Sequence, residues 1–248
     1  MHLLIFSVVN FVAAILSGAA GGGGGLISLP LLVQLGLSPS AAIATSKFGG
    51  FGISAGSSLR FFREKLTDRR MVLILSIFSA VGAVAGSIAL LKFKNHEQLL
   101  QTIMGYAILL VGVPLLYVRN LGIKTKQTSA ATKTLGYVLL LIGVMFQAAL
   151  GSGIGALQLI VLMTCFGMTA LTASAMRRAM QFVVAIVTLA IFMSAGLVDY
   201  RYGIVGLITS SAGGFIGAHM AVKKGNKFVI NLFAITSALL ALQLIWRS

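Results

Sequence analysis

The chain has 248 residues, of which 58% are hydrophobic and only 9% are charged, and this excludes a soluble globular domain, which needs far more polar surface. Its 19 Lys and Arg against 4 Asp and Glu give a formal charge of +15. These basic residues lie mostly in short loops between apolar runs, which is the positive-inside pattern of a membrane protein and not a nucleic-acid-binding surface.

Residues 3–20 form the first apolar run. The run ends in small residues, as a signal peptide does, but only His2 precedes it and no Lys or Arg does. We therefore expect a retained membrane helix. With about 20 residues for each span, the whole chain has room for roughly seven to nine crossings.

The stretch 21–46 interrupts the apolar pattern twice. Gly21 to Gly25 are consecutive glycines, and Gly36 and Pro39 break the chain again after a short apolar segment. Glycine weakens a continuous helix. In lipid such a break is tolerated only where the freed N–H and C=O groups find partners in protein or in a wet cavity. Many transporters build a substrate site near the bilayer midplane from broken helices of this kind.

The rest of the chain alternates apolar spans with basic loops. The predicted apolar stretches are 39–62, 71–91, 99–118, 134–150, 154–166, 168–196, 202–222 and 228–246. The loop 60–70 carries five basic residues and the linker 119–133 carries four, so both should be cytoplasmic. The pattern predicts an all-α polytopic membrane protein of about eight transmembrane helices with glycine-broken segments.

The linker separates two predicted halves, 1–118 and 134–248, of a single membrane domain. Leu66, Asp68 and Arg70 return 131 residues later as Leu197, Asp199 and Arg201. At an offset of 130, Gly21, Gly23 and Gly25 return as Gly151, Gly153 and Gly155. The shared pattern indicates a duplication, with a site where the broken segments meet. The basic-residue count does not decide whether the halves are parallel or inverted, because the crossing of the short segments is unknown.

Lys47 is a charge inside apolar sequence. It lies 13 residues before Arg60, which is roughly 20 Å along a helix. A lysine at that depth is costly in lipid and should face the bundle interior or water. Its repeat equivalent is Arg178, beside Arg177. We interpret the three as cations that attract an anion; the alternative is that they snorkel to a membrane surface.

The glycine breaks supply a second means of binding an anion. A helix that starts after each break points unpaired N–H groups and its positive end into the protein. The glycines assigned to this role are Gly23, Gly25, Gly153 and Gly155, and the hydroxyl donors are Ser28, Thr45, Ser46 and Ser152. The alternative is close helix packing, which is the role that we assign to Gly82, Gly86, Gly213 and Gly217 from their four-residue spacing.

The acidic residues all fall in predicted loops, at Glu64, Asp68, Glu97 and Asp199. We expect Asp68 and Asp199 to pair with nearby arginines or to cap helices. His219, inside a span, is expected to be a packed hydrogen-bonding group. The single cysteine, Cys165, excludes an intramolecular disulfide and a cysteine-rich metal site. We predict no cofactor and no metal.

These motifs carry a family resemblance. The glycine-rich break, the Leu-Pro after it, the Gly-x-Ser-Pro-x-x-Ala-x-Ala-Thr-Ser at 36–46 and the Gly-Ser-Gly-x-Gly at 151–155 resemble the TauE/SafE family of sulfite-exporter-type permeases. The resemblance implies a multi-pass protein of the bacterial inner membrane that moves sulfite, sulfonates or similar small anions. The second half has Met176-Arg177 in place of Thr45-Ser46, so the symmetry is imperfect.

We therefore expect an integral membrane transporter of a small anion, and not an enzyme. Its expected partners are the substrate and the lipid bilayer, with no nucleic acid, and a homo-oligomer is compatible with the sequence. Two alternatives stay open. One is a non-transporting membrane scaffold or accessory subunit. The other is an intramembrane serine hydrolase that uses Ser152 and His219, although no acid is available to orient the histidine.

Overall fold

The computed structural model describes residues 2–21, 24–96, 121–150 and 155–245. Every regular element in these ranges is a helix, which confirms the predicted all-α class. In chain order the helices are α1 (His2–Ala20), α2 (Gly24–Gln34), α3 (Pro39–Arg63), α4 (Arg69–Phe93), α5 (Ala130–Leu150), α6 (Gly155–Cys165), α7 (Ala170–Ser194) and α8 (Tyr200–Ile245).

Within the described ranges, five helices are long and apolar enough to cross a membrane: α1, α4, α5, α7 and the Tyr200–Leu232 part of α8. This confirms a polytopic membrane protein. α3 is as long as α4, at 25 residues, but is richer in Gly and Ser. α2 and α6 have 11 residues each and extend only roughly 16 Å, about half of a bilayer core. The predicted span at 99–118 lies outside the described residues.

Two aspartates cap helices that begin at equivalent points of the repeat. Asp68 before α4 and Asp199 before α8 each accept a hydrogen bond from the backbone N–H two residues later, at 2.9 Å in both cases. A cap of this kind satisfies an N–H group that has no partner inside the helix. The prediction that these acids have a structural role is confirmed.

One helix boundary differs from the sequence prediction. α5 begins at Ala130 and not at 134, because the Ser129 hydroxyl accepts a bond from the Thr132 N–H at 3.2 Å and starts the helix earlier. α8 consists of two helical parts that meet at Gly225, whose φ of 76° is a left-handed conformation that favours glycine. This break lies between the predicted stretches 202–222 and 228–246, as expected.

α1, α3 and α8 form one layer and run in the same direction. A Cβ on Gly213 of α8 would lie 2.6 Å from the Phe11 carbonyl oxygen of α1, and Gly217 contacts α1 one turn further along. On the other side of α8, a Cβ on Gly52 of α3 would lie 2.5 Å from the Leu207 carbonyl oxygen. Small residues thus let the three backbones approach closely. The packing role predicted for Gly213 and Gly217 is confirmed.

α4, α5 and α7 form a second layer. A Cβ on Gly82 of α4 would lie 2.8 Å from the Leu141 carbonyl oxygen of α5, and Gly86 faces the Met145 carbonyl one turn later. The packing role predicted for Gly82 and Gly86 is therefore also confirmed. α7 joins α4 and α5 through a small apolar cluster formed by Ala83, Val144 and Val184.

The two layers exchange their last helices. α8 follows α5, α6 and α7 in the chain but packs with α1 and α3, whereas α4 follows α1 to α3 but packs with α5 and α7. The layers meet through α3 and α7, where Phe51 and Phe182 stack with ring centroids 5.2 Å apart. Each layer therefore combines elements from both predicted halves.

The short helices fold back along the helices that precede them. On α2, Ser28 Oγ donates to Asn10 Oδ1 of α1 at 2.7 Å, and Leu32 packs with Phe6 near the start of α1. α6 returns along α5 in the same way, and Gly136 near the start of α5 lies against Phe166, just beyond the end of α6. α1 with α2 and α5 with α6 therefore form two helical hairpins in the bundle.

Most exposed basic residues lie at one end of the bundle, which we call the basic face. There Arg60 Nε donates to His219 Nδ1 at 3.2 Å, and Asn226 Nδ2 donates to the Gly122 carbonyl at 2.6 Å. The described Lys and Arg of this face number eleven: Arg60, Arg63, Lys65, Arg69, Arg70, Lys124, Lys126, Lys133, Lys223, Lys224 and Lys227. The opposite face has three in the described ranges: Lys92, Lys94 and Arg201.

The helix directions answer the question that the sequence left open. α1 runs toward the basic face, whereas α5 starts at that face and runs away from it. The predicted halves therefore have opposite orientations in the bundle. The loop 60–70 and the described part of the linker, from residue 121, share the basic face, as one cytoplasmic side requires.

Candidate functional site

Three cations are buried in the interior of the bundle. Lys47 is 6% exposed, Arg177 is 4% exposed and Arg178 is 3% exposed. Lys47 lies eight residues into α3 and Arg178 eight residues into α7, so each is about 12 Å along its helix from opposite ends of the bundle. Charged groups at this depth are costly unless they find partners or face water.

Lys47 bonds to the end of α5. Its Nζ donates to the main-chain carbonyl of Gln147 at 2.8 Å. Gln147 lies in the last turn of α5, where the carbonyls have no partner inside the helix. The ammonium group is therefore held inside the bundle and does not snorkel to a membrane surface.

Arg177 joins the two glycine breaks. Its Nη1 donates to the Gly21 carbonyl at the end of α1, and its Nε donates to Gln158 Oε1 of α6 at 3.1 Å. The guanidinium lies against Gly155, the first residue of α6, where a Cβ would overlap it. A side chain at 155 would therefore force Arg177 to shift from this position.

Arg178 bonds to the same end of α1. Its Nη2 donates to the Ser17 carbonyl and, at 2.7 Å, to Ser17 Oγ. Its Nε has no hydrogen-bond partner within the described part of the chain, and neither does the buried hydroxyl of Ser174. Gly21, against which Ser174 lies, has a φ of 78°, so the tip of the α1–α2 hairpin also depends on glycine.

Two glutamines that the sequence analysis missed connect the cations. Gln158 Nε2 donates to Gln147 Oε1 at 2.8 Å, and both side chains are buried. We call this pair the amide bridge. With it, hydrogen bonds run from Lys47 through Gln147 and Gln158 to Arg177 and on to Gly21. The signal that could have found the pair is the one that marked Lys47, a polar residue inside an apolar span.

No described carboxylate faces the buried cations. The described acids lie at helix ends, where Asp68 and Asp199 cap helices and Glu64 pairs with Arg60. The Arg60–Glu64 distance is 2.5 Å, and this is the one ion pair among the residues that the structure describes. Glu97 lies outside those residues. Among the described residues the buried cations therefore bond only to neutral carbonyls, amides and hydroxyls, which leave their charge uncompensated.

Three predicted hydroxyl residues form hydrogen bonds with groups other than the cations. Ser28 belongs to a separate polar cluster around Asn10, which the sequence analysis also missed; Asn10 Nδ2 lies 2.7 Å from Ser210 Oγ. Thr45 Oγ1 accepts a bond from the Asp199 N–H at 3.0 Å, at the end of the bundle opposite the basic face. Ser46 Oγ donates to the Ile43 carbonyl of its own helix at 2.7 Å.

The remaining predicted glycine and serine positions are only partly described. Gly25 lies in the first turn of α2, while Gly23, Ser152 and Gly153 lie outside the described residues. Gly155 is the one described glycine of the second break, and it contacts Arg177.

The other polar residues singled out in the sequence lie outside the cation cluster. His219 accepts a bond from Arg60 on the basic face, so the expected hydrogen-bonding role is found, but the residue is exposed there and not packed inside the bundle. Cys165 is a buried free thiol. The described ranges contain no group of three His, Cys, Asp or Glu residues that could hold a metal ion.

Comparison with protein families gives a match over nearly the whole chain. Residues 6–244 match the model described as "Sulfite exporter TauE/SafE". The region includes both glycine breaks and the three buried cations. No solved structure matches the chain.

Full-length relatives have names that describe membrane transport. The chain is 25% identical to a "Probable membrane transporter protein" of Haemophilus influenzae, over 98% of this chain and 94% of the relative. It is 27% identical to "Probable membrane transporter protein YfcA" of Escherichia coli K12, over 99% and 91%. It is 28% identical to "Probable membrane transporter protein ORF9" of Sinorhizobium sp, over 98% and 93%.

Proposed function

The chain belongs to the sulfite exporter TauE/SafE family of membrane transporters, and on that premise we propose that it carries a small anion past Lys47, Arg177 and Arg178. Within that class we propose sulfite or a related organosulfur anion, in keeping with the family description. The membrane that we propose is the bacterial inner membrane, because the named full-length relatives are bacterial.

The observation that carries this proposal is three buried cations without a described carboxylate opposite them. Like charges repel strongly where the local dielectric constant is low. Carbonyl oxygens satisfy hydrogen bonds but leave the net charge in place, and an unbalanced buried charge is destabilising. A bound anion would provide both the missing charge and further acceptors.

The donor chemistry suits an oxyanion. Arg178 Nε and the Ser174 hydroxyl lie buried without described partners. A guanidinium presents several N–H donors in a fixed plane, which matches an anion with two or three oxygens, and bonds between charged groups are the strong ones. No described acceptor in this cluster carries a negative charge that would attract a cationic substrate instead.

The test is binding and transport by the purified full-length protein. We would measure thermal stabilisation by sulfite, sulfate, thiosulfate, methanesulfonate and acetate, and then flux of each binding anion into liposomes. We expect stabilisation and flux by at least one sulfur oxyanion, both lost in Arg177→Met. Arg201→Met removes the same charge from an exposed position and should leave both unchanged.

Two results would overturn the proposal. One is a wild-type protein that neither binds nor moves any anion of the panel, which would favour the scaffold or accessory-subunit alternative. The other is anion flux that is equal in wild type and Arg177→Met, which would show that transport does not depend on this site.

A further inference from the structure

The amide bridge lies between cations that are held at different depths. Lys47 is eight residues from the end of α3 that is opposite the basic face, whereas Arg177 is seven residues from the end of α7 at the basic face. Gln147 and Gln158 connect them through the middle of the bundle. An anion that moves between the two cations would therefore pass the amide bridge.

The hydrogen bonds fix the direction of both amides. Arginine can only donate, so the atom of Gln158 that faces Arg177 Nε must be the amide oxygen. The Gln158 nitrogen then faces Gln147 and donates to its oxygen, at 2.8 Å. As a result the Gln147 nitrogen, with its two N–H groups, takes no part in the bond to Gln158. The structure shows no hydrogen bond from it to another described residue.

From this polarity we propose that Gln147 is a substrate-contacting residue that donates its Nε2 hydrogens to the passing anion. Gln158 is a positioning residue, which holds the Gln147 amide and the Arg177 guanidinium in their orientations. The proposal rests on the anion transport proposed above and adds an uncharged donor to the charged site. It assigns the amide bridge the task of selecting an anion that can accept several hydrogen bonds.

The choice of amides over carboxylates is central to this role. A glutamate at 158 would pair with Arg177 and provide internally the negative charge that the substrate should bring. A glutamate at 147 would present an acceptor where a donor is needed and would repel an anion while ionised. With amides at both positions, the Gln158 oxygen accepts from Arg177 and the Gln147 oxygen accepts from Gln158. Lys47 bonds to the main-chain carbonyl of Gln147, so the Gln147 side chain keeps its N–H groups for the anion.

The first test compares methanesulfonate binding by wild type, Gln147→Met and Gln158→Glu, using the full-length protein in lipid nanodiscs. Methanesulfonate keeps a single charge between pH 5 and 8. We expect about tenfold weaker binding for Gln147→Met, as for loss of one bond to a charged group, and no detectable binding for Gln158→Glu. Gln34→Glu adds the same charge at an exposed position of α2 and should bind as wild type does.

The second test separates a contact role from a structural one. In Gln147→Glu the protonated carboxyl restores a donor, so methanesulfonate affinity should rise at least tenfold as the pH falls through the range in which this glutamate protonates. Wild type and Gln34→Glu should show no such rise. This readout does not depend on how well Gln147→Met folds.

The outcomes distinguish this inference from the proposed function. If wild type binds no anion at all, the transport proposal fails before the glutamines are tested. If wild type binds methanesulfonate but Gln147→Met binds equally well, or Gln147→Glu shows no pH dependence, the amide bridge does not contact the substrate. Loss of methanesulfonate binding by Gln147→Glu at high pH and its recovery at low pH would support the inference.

Discussion

Lys47 and Arg178 donate hydrogen bonds to main-chain carbonyls at corresponding positions of the predicted repeat. The cations are 131 residues apart, and their acceptors, Gln147 and Ser17, are 130 residues apart. Each cation comes from one half and each acceptor from the other. Both acceptors lie in the last turn of a helix, α5 for Gln147 and α1 for Ser17, so the two bonds hold the ends of α5 and α1 in equivalent ways.

Loss of the Lys47 charge should weaken anion binding without harming the fold. We expect Lys47→Met to reduce the binding free energy of a sulfur oxyanion by about 1–3 kcal/mol, because a charge-assisted bond is lost. The empty protein should be as stable as wild type or more so, because a buried charge is removed. Lys47→Arg should retain part of the activity, since charge is kept while donor geometry changes.

The measurements for Lys47 are anion-induced thermal stabilisation and liposome flux. Lys133→Met removes a lysine from the exposed first turn of α5 and serves as the control. Wild-type anion affinity in Lys47→Met would show that this lysine takes no part in the site.

Gly155→Ala should displace Arg177. A Cβ at 155 would overlap the guanidinium, so we expect anion binding and flux to fall by roughly tenfold or more, the loss of one charge-assisted bond. Gly50→Ala in α3, where a Cβ would meet open space, should retain wild-type flux.

Substitution of Gly23, Gly25 or Gly153 by Ala should likewise abolish transport, while the protein still inserts into the membrane. If these variants instead express poorly but the protein that survives has normal flux, the glycines have a packing role.

The basic face should be cytoplasmic. In a Cys165→Ser background, single cysteines at Thr67 and Gln127 lie on the basic face, whereas one at Asn95 lies on the opposite face. An impermeant maleimide added to intact cells should label only the Asn95 position, because the basic residues favour the cytoplasmic side. Labelling of Thr67→Cys or Gln127→Cys from outside would show that the basic face is not cytoplasmic.

Gly86 should be important for stability and not for binding. A Cβ there would overlap the Met145 carbonyl of α5, and forcing extra volume into a packed contact typically costs about 1–3 kcal/mol. We expect Gly86→Ala to lower the unfolding free energy by that amount in a denaturant titration. Its anion affinity should stay that of wild type below the transition. Gly50→Ala again provides the control, and equal stability of the two variants would contradict close packing of α4 on α5.

The sequence was most informative about the charged residues of the site. Lys47, Arg177 and Arg178 could be identified because a charged residue in an apolar run is rare and must face the bundle interior or water. Gln147 and Gln158 are neutral and looked like ordinary variation within a span. Thr45 and Ser46 adjoin Lys47 in sequence, but helix geometry turns them toward the Asp199 N–H and the α3 backbone.

The orientation of the halves could not be predicted for a different reason. It depends on whether the segments after each glycine break cross the bundle or return, and both outcomes use the same apolar residues. The return of α2 is fixed by long-range contacts, such as Leu32 with Phe6. The backbone contacts of Gly82 and Gly213 could be expected from spacing, but the helices that they touch could not.

The exchange of α4 and α8 between layers has a consequence for biosynthesis. When the ribosome has completed α4, the glycine side of that helix has no α5 to cover it, and α1 and α3 still lack α8. The helices of the first half therefore cannot complete their packing until the second half has been inserted into the membrane.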